Sequence, residues 1–280
     1  MNEQGGMKMK EKSGFDLECC NTEFDLYWKA ALEMIEVIQE NNKNGNPTVM
    51  IIPYGPIGIY PCLVYLINKW KINLRNCCFI NMDEYLTDDK DFISEDNPLS
   101  FRGGMKRSFY DKILPELNVL PSNRIFPTPK KEREILNCIE YYGKLDMAIG
   151  GVGINGHFAF NEPPEPEESI DNEEFKNRTT RILKISRETR TVNAFMNCGG
   201  DIRNIPKYCI TVGMKEIMLA NKIRLCMPRE WLAGILRRIL NGEITAAIPC
   251  SLFREHKDAK IYASQEALKI PTNSIRAYNK

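Results

Sequence analysis

The sequence predicts an α/β fold built on a mostly parallel sheet. Three observations lead there. Short apolar runs of strand length recur along the 280 residues, amphipathic stretches of helical length separate them, and the richest glycine cluster directly follows one of the apolar runs. Strands alternating with helices of roughly 10–15 residues indicate βαβ units, and such units build parallel sheets.

The candidate strands are Val49–Tyr54, Cys77–Asn81, Leu145–Ile149, Arg181–Ile185, Cys209–Val212, Ile223–Met227 and Lys260–Ala263. The candidate helices are Phe24–Gln39, Ile59–Trp70, Ser100–Leu114, Glu132–Tyr142 and Glu230–Leu240. No internal repeat is visible. The expected organisation is a flexible N-terminal segment over residues 1–20, one α/β domain over 21–270 and a C-terminal tail over 271–280. The acidic, proline-bearing stretch from Pro163 to Lys176 suggests a lid over about 163–185, because it follows the richest motif in the chain.

Composition narrows the function classes. Hydrophobic residues make up 43% and charged residues 27%, as in ordinary globular proteins. The formal charge is +1, from 38 basic and 37 acidic residues, which gives no reason to expect a nucleic-acid or membrane partner. No run approaches the length of a membrane span, and the polar, lysine-rich N-terminus is no secretory signal. Ten cysteines without a C-x-x-C and only two histidines argue against a zinc site. Reduced thiols packed as small hydrophobes, in a cytoplasmic setting, fit best.

The chemistry-bearing segment runs from Gly150 to Pro163, Gly-Gly-Val-Gly-Ile-Asn-Gly-His-Phe-Ala-Phe-Asn-Glu-Pro. Its Gly151-x-Gly153-x-x-Gly156 matches a dinucleotide fingerprint in form, but that fingerprint needs a helix to open there. Pro163, Pro164 and Pro166 break any such helix, so NAD is disfavoured. The glycines, Gly153 and Gly156 among them, instead suggest a tight turn that brings backbone close to a ligand. That turn presents His157 at a strand end, with Glu162 five residues on to orient it. A second constellation, Asn81-Met-Asp-Glu-Tyr85, sets Asp83 at another strand end, where a carboxylate can move a proton between adjacent carbons.

Those two segments, with Ile205-Pro-Lys-Tyr-Cys-Ile-Thr-Val-Gly213, resemble the glucosamine-6-phosphate deaminase/isomerase family over roughly residues 25–265. The related 6-phosphogluconolactonases share the Gly-His core without the Phe-Asn-Glu-Pro continuation. The resemblance implies a single modified Rossmann-like α/β domain with no nucleotide cofactor and no metal. It also implies a small sugar (phosphate) substrate and leaves a homo-oligomer open. On this pattern Asp83 is the base that carries a proton from C2 to C1. His157 assists ring opening, Glu162 orients it, and Asn155 stands where many relatives have aspartate.

The departures concern the other end of the ligand. The family's Pro-Thr-Gly-x-Thr-Pro phosphate turn is here Pro53-Tyr-Gly-Pro-Ile-Gly58, so the backbone at Tyr54, Gly55 and Gly58 would have to serve. The family's phosphate arginine aligns with Phe195, and its lysine falls in Pro228-Arg-Glu-Trp-Leu232. At roughly 1.5–3 kcal/mol per charged hydrogen bond, these losses add up to several kcal/mol. Arg102 and Arg229 are the candidate replacements. The leading expectation is an amino-sugar-phosphate deaminase/isomerase. Two alternatives stay open: the same proton transfer on an unphosphorylated or carboxylated sugar, and a non-catalytic sugar-binding regulator.

Overall fold

The computed structural model describes residues 14–165 and 167–269. Its elements in chain order are β1 (Asp16–Cys20), α1 (Glu23–Lys43), β2 (Thr48–Ile52), α2 (Ile59–Trp70), β3 (Cys77–Asn81), β4 (Asp83–Leu86) and α3 (Phe101–Ser108). There follow β5 (Arg124–Ile125), α4 (Glu134–Tyr142), β6 (Met147–Gly151), α5 (Asn172–Lys176), β7 (Arg181–Lys184) and α6 (Arg187–Asn197). The chain closes with β8 (Tyr208–Thr211), α7 (Met214–Met218), β9 (Lys222–Met227), α8 (Ala233–Asn241), β10 (Ala259–Ser264) and α9 (Gln265–Leu268).

Seven strands form one parallel sheet in the order β1-β10-β9-β6-β2-β3-β5. Its centre explains the apolar runs: every residue of β2 and of β3 is buried, as expected for strands covered on both faces. On one face α1 buries Leu26, Ala30, Ala31, Met34, Ile35 and Ile38, spaced three or four apart. The Thr22 hydroxyl accepts from the Asp25 amide and the Asp25 side chain accepts from the Thr22 amide, a capping box that fixes where α1 begins. The other face is covered by α4 and α8, whose Ile135, Ile139, Leu236 and Ile239 join the same core as β2's Val49 and Ile51.

Arg224 of β9, 2% exposed, ties this sheet to α1. Its guanidinium meets Glu33 at 2.7 Å and Asp258 at 2.8 Å, so the buried charge is fully paired.

Three sequence expectations change. Residues 16–20 are not part of a flexible segment: β1 pairs in parallel with β10 along its whole length and edges the sheet. The runs beginning at Arg181 and Cys209 do not enter the parallel sheet. They form β7 and β8 of a separate three-stranded antiparallel sheet with β4, order β4-β8-β7. The proposed lid is not one loop either, since α5 and β7 occupy its second half. Short apolar runs occur in both sheet types, so their presence alone could not separate them. Residues 1–13 of the expected N-terminal segment and the tail over 271–280 lie outside the described residues.

Candidate active site

The carboxyl ends of β9, β6, β2 and β3 open into one cavity of about 400 Å³. Crevices at this edge of a parallel sheet are where such folds hold ligands. Three groups of residues line it: the turn after β2, the loop after β6 and the segment after β9. The antiparallel sheet and α6 close it with Asp83, Tyr85, Thr189 and Asn193.

The loop after β6 owes its shape to its small residues. The His157 ring lies flat against Gly153, where an added Cβ would fall 2.0 Å from the ring. Gly156 turns the chain at φ +85° and Ala159 holds φ +55°. For alanine that left-handed conformation costs roughly 1–2 kcal/mol, and a surrounding brace must hold it. Asn161 is that brace: its amide donates to Phe158 O at 3.0 Å and Val212 O at 2.9 Å, and its oxygen accepts from Arg181 at 2.8 Å.

Behind the cavity wall the histidine is held by three side chains. Asn155 donates to Glu162 Oε2 at 2.6 Å, which turns its Oδ1 toward His157 Nδ1 at 2.8 Å. Glu162 Oε2 is 3.4 Å from Nδ1, and Thr189 Oγ1 is 3.3 Å from it. With acceptors crowded at Nδ1, that nitrogen carries the proton and Nε2 is left for the cavity. Burial pushes the Glu162 carboxyl up, but the charge of His157 and the hydrogen bonds from His157, Asn155 and Thr189 outweigh it and pull it down to about 2. Its second oxygen, Oε1, is buried without a hydrogen-bond partner among the described residues.

Asp83 is the opposite case. It is 7% exposed, lines the cavity, and its carboxylate makes no hydrogen bond or ion pair among the described residues. Burial first, and the neighbouring Glu84 second, raise its carboxyl well above the usual range. Glu84 is wholly engaged: it accepts from the amides of Tyr85, Phe101 and Arg102 and from the Ser100 hydroxyl, at 2.8–3.0 Å.

Of the other residues singled out in the sequence, Tyr54, Gly55, Gly153 and Arg229 line the cavity. Asn155, Glu162 and Gly156 stand behind it, as does Gly58, which is covered by the Tyr27 ring. Arg102 does not reach it. Its guanidinium sits 4.0 Å over Phe92, bonds Ile93 O at 3.2 Å and lies 3.5 Å from both Glu84 and Glu95. The expectation that Arg102 replaces a lost phosphate ligand therefore fails, because Glu84 and Phe92 already hold it. Phe195 is 77% exposed and points away, so α6 brings no cation to the cavity. Sequence reasoning missed Thr189, Asn193 and Trp231. Thr189 carries no motif, and only its place one turn into α6 brings it to His157. Among the described residues no cluster of three or more His, Cys, Asp or Glu could hold a metal ion.

A parallel α/β sheet with a buried histidine–carboxylate cluster and a bare aspartate over its carboxyl edge defines an acid–base protein for a small polar ligand. No protein-family model matches the chain. A glucosamine-6-phosphate deaminase of Yersinia enterocolitica is 30% identical over 233 residues, covering 81% of this chain and 82% of its own. One from Thermoanaerobacter sp. (strain X514) is 28% identical over 255 residues, 89% of this chain and 94% of its own. A solved monomeric glucosamine-6-phosphate deaminase of the NagB superfamily superposes with a TM-score of 0.77 at 25% identity, covering 90% of this chain and 99% of that one. The 6-phosphogluconolactonase of Plasmodium vivax shares the fold at a TM-score of 0.61 and 15% identity, over 94% and 96% of the two chains. The chain belongs to the glucosamine-6-phosphate deaminase family.

Proposed function

We propose that this enzyme converts glucosamine 6-phosphate, or an amino sugar of the same ring, to a ketose and ammonia. The observation that carries the reading is the bare, buried Asp83 carboxylate facing the same cavity as His157. His157 Nε2 exchanges a proton with the ring oxygen and opens the ring to the aldehyde. Asp83 takes the proton from C2, leaving an amino-enol, and returns it to C1. The resulting C2 imine adds water and expels ammonia. A raised carboxyl suits this task, since a base that holds its proton well can also release it to carbon in the same turnover. Glu162 stabilises the charged imidazole, and Asn155 keeps the proton on Nδ1.

The assay is ammonia release from glucosamine 6-phosphate, galactosamine 6-phosphate and free glucosamine, with Asp83→Asn alongside. Release that disappears with Asp83→Asn supports the reading. Release unchanged in that variant, or sugar bound with no release from any of the three, overturns it. Among the described residues no helix is long and apolar enough to cross a membrane.

A further inference from the structure

The part of the cavity farthest from Asp83 has the wrong chemistry for a phosphate dianion. Arg229 leaves the sheet after β9, three strands across from β3 in the order β9-β6-β2-β3. At about 4.8 Å per strand that separation is roughly 14 Å. Among the described residues Arg229 is the one permanent cation that lines the cavity, and it is already taken. Its Nη1 lies 2.9 Å from Glu23 Oε2, the first residue of α1. The pairing is not an accident of two long side chains, because the clamp of Arg224 on Glu33 pins α1 to β9 and so sets Glu23 beside Arg229.

Apart from the backbone amides of Gly55 and Ile57, much of the remaining surface there is apolar. Tyr54 stacks on Phe101, Ile57 and Trp231 stand at the mouth 46% and 38% exposed, and Pro56 has no amide to offer. The start of α2, a place where helices commonly receive anions, is covered: the Tyr27 ring packs on Gly58 so closely that a Cβ would fall 2.2 Å from it. A phosphate arriving here would meet an arginine already paired with Glu23, a carboxylate of its own sign and much aromatic carbon, with the backbone amides of the turn after β2 left to receive it.

We propose that this end of the cavity recognises the uncharged, C–H-bearing face of an amino sugar, and that Glu23 is the residue that sets this specificity by neutralising Arg229. Amino sugars with a free C6 hydroxyl are substrates, and a 6-phosphate adds little to their binding. The inference rests on the proposed amino-sugar chemistry of the same site. Glu23→Gln uncovers Arg229 and moves preference toward the phosphorylated sugar. The pair is half exposed, so its loss leaves the fold intact.

The test separates binding from turnover. Calorimetric titration of the Asp83→Asn protein with glucosamine and with glucosamine 6-phosphate measures what the phosphate adds, and the Asp83→Asn/Glu23→Gln double variant repeats it. The expected result is less than a tenfold gain in affinity from the phosphate in the first protein and at least a tenfold larger gain in the second. A phosphate gain of tenfold or more with Glu23 in place, a gain in the double variant that falls short of that tenfold increase, or binding of neither sugar overturns the proposal. Ammonia release from the Asp83-bearing protein reports separately on the reaction. Phosphate-dominated binding with ammonia release sinks only the specificity, and sugar binding without release sinks only the chemistry.

Discussion

The two ends of the cavity are built on different principles. At the His157 end most polar atoms have a named partner; among the described residues the exceptions are Glu162 Oε1 and the Asp83 carboxylate, which is bare and buried. At the Arg229 end the charge is cancelled within the protein and the walls are aromatic. Chemistry and recognition are therefore separable: one end rests on the loop after β6 and the turn into β4, the other on the turn after β2 and the start of α1. A change at one should leave the other standing.

The largest effect expected is that of Asp83→Asn. It removes the proposed base, so kcat should fall by about 10²–10⁴-fold, read by ammonia release. The same change should stabilise the protein. A carboxyl whose folded pKa is raised penalises the folded state once the unfolded chain ionises, above the ordinary carboxylate range, and asparagine escapes that penalty. A higher melting temperature at pH 7 but not at pH 3 is the signature; a lower one at pH 7 would contradict the burial argument.

Gly153→Ala comes next. Its Cβ would overlap the His157 ring, and an ångström of displacement costs on the order of 100-fold in kcat. Sugar affinity at the Arg229 end should change little, which titration can check.

Glu162→Gln tests the brace through pH. Its carboxyl sits at about 2 against an ordinary 4.5, so its stabilisation is complete above pH 4.5 and is lost as pH falls toward 2. At 1.36 kcal/mol per pKa unit this is about 3 kcal/mol. Urea midpoints of the parent protein should fall across that window, and those of Glu162→Gln should fall less. Parallel slopes would show that Glu162 is not held by His157.

The smallest effect on catalysis belongs to Arg102→Met. Because Arg102 holds Glu84 and Phe92 and not the ligand, KM should stay within about threefold while stability drops by roughly 1–3 kcal/mol. A large rise in KM would return Arg102 to the site.

Much of the reacting end was legible in the sequence. Glycine density, a histidine and a carboxylate at fixed spacing report a local backbone shape, and Gly153, His157 and Glu162 lie within ten residues of one another. The far end is assembled from residues distant in the chain, so its partners could not be read. Nothing in the sequence pairs Glu23 with Arg229, or lays Tyr27 on Gly58. For the same reason Arg102, suggestive at a helix start, proved to be held by Glu84, and β7 and β8 could be read as strands but not assigned to their sheet.

Glu84 has a mechanical side as well. It knots the first turn of α3 to β4 through the amides of Phe101 and Arg102, and Phe101 itself lines the cavity. A sugar that presses on the Phe101 ring thus pushes on the same joint that aims Asp83, one residue away. Entry and reaction share a hinge pin there, and a snug ligand can steady the carboxylate that acts on it.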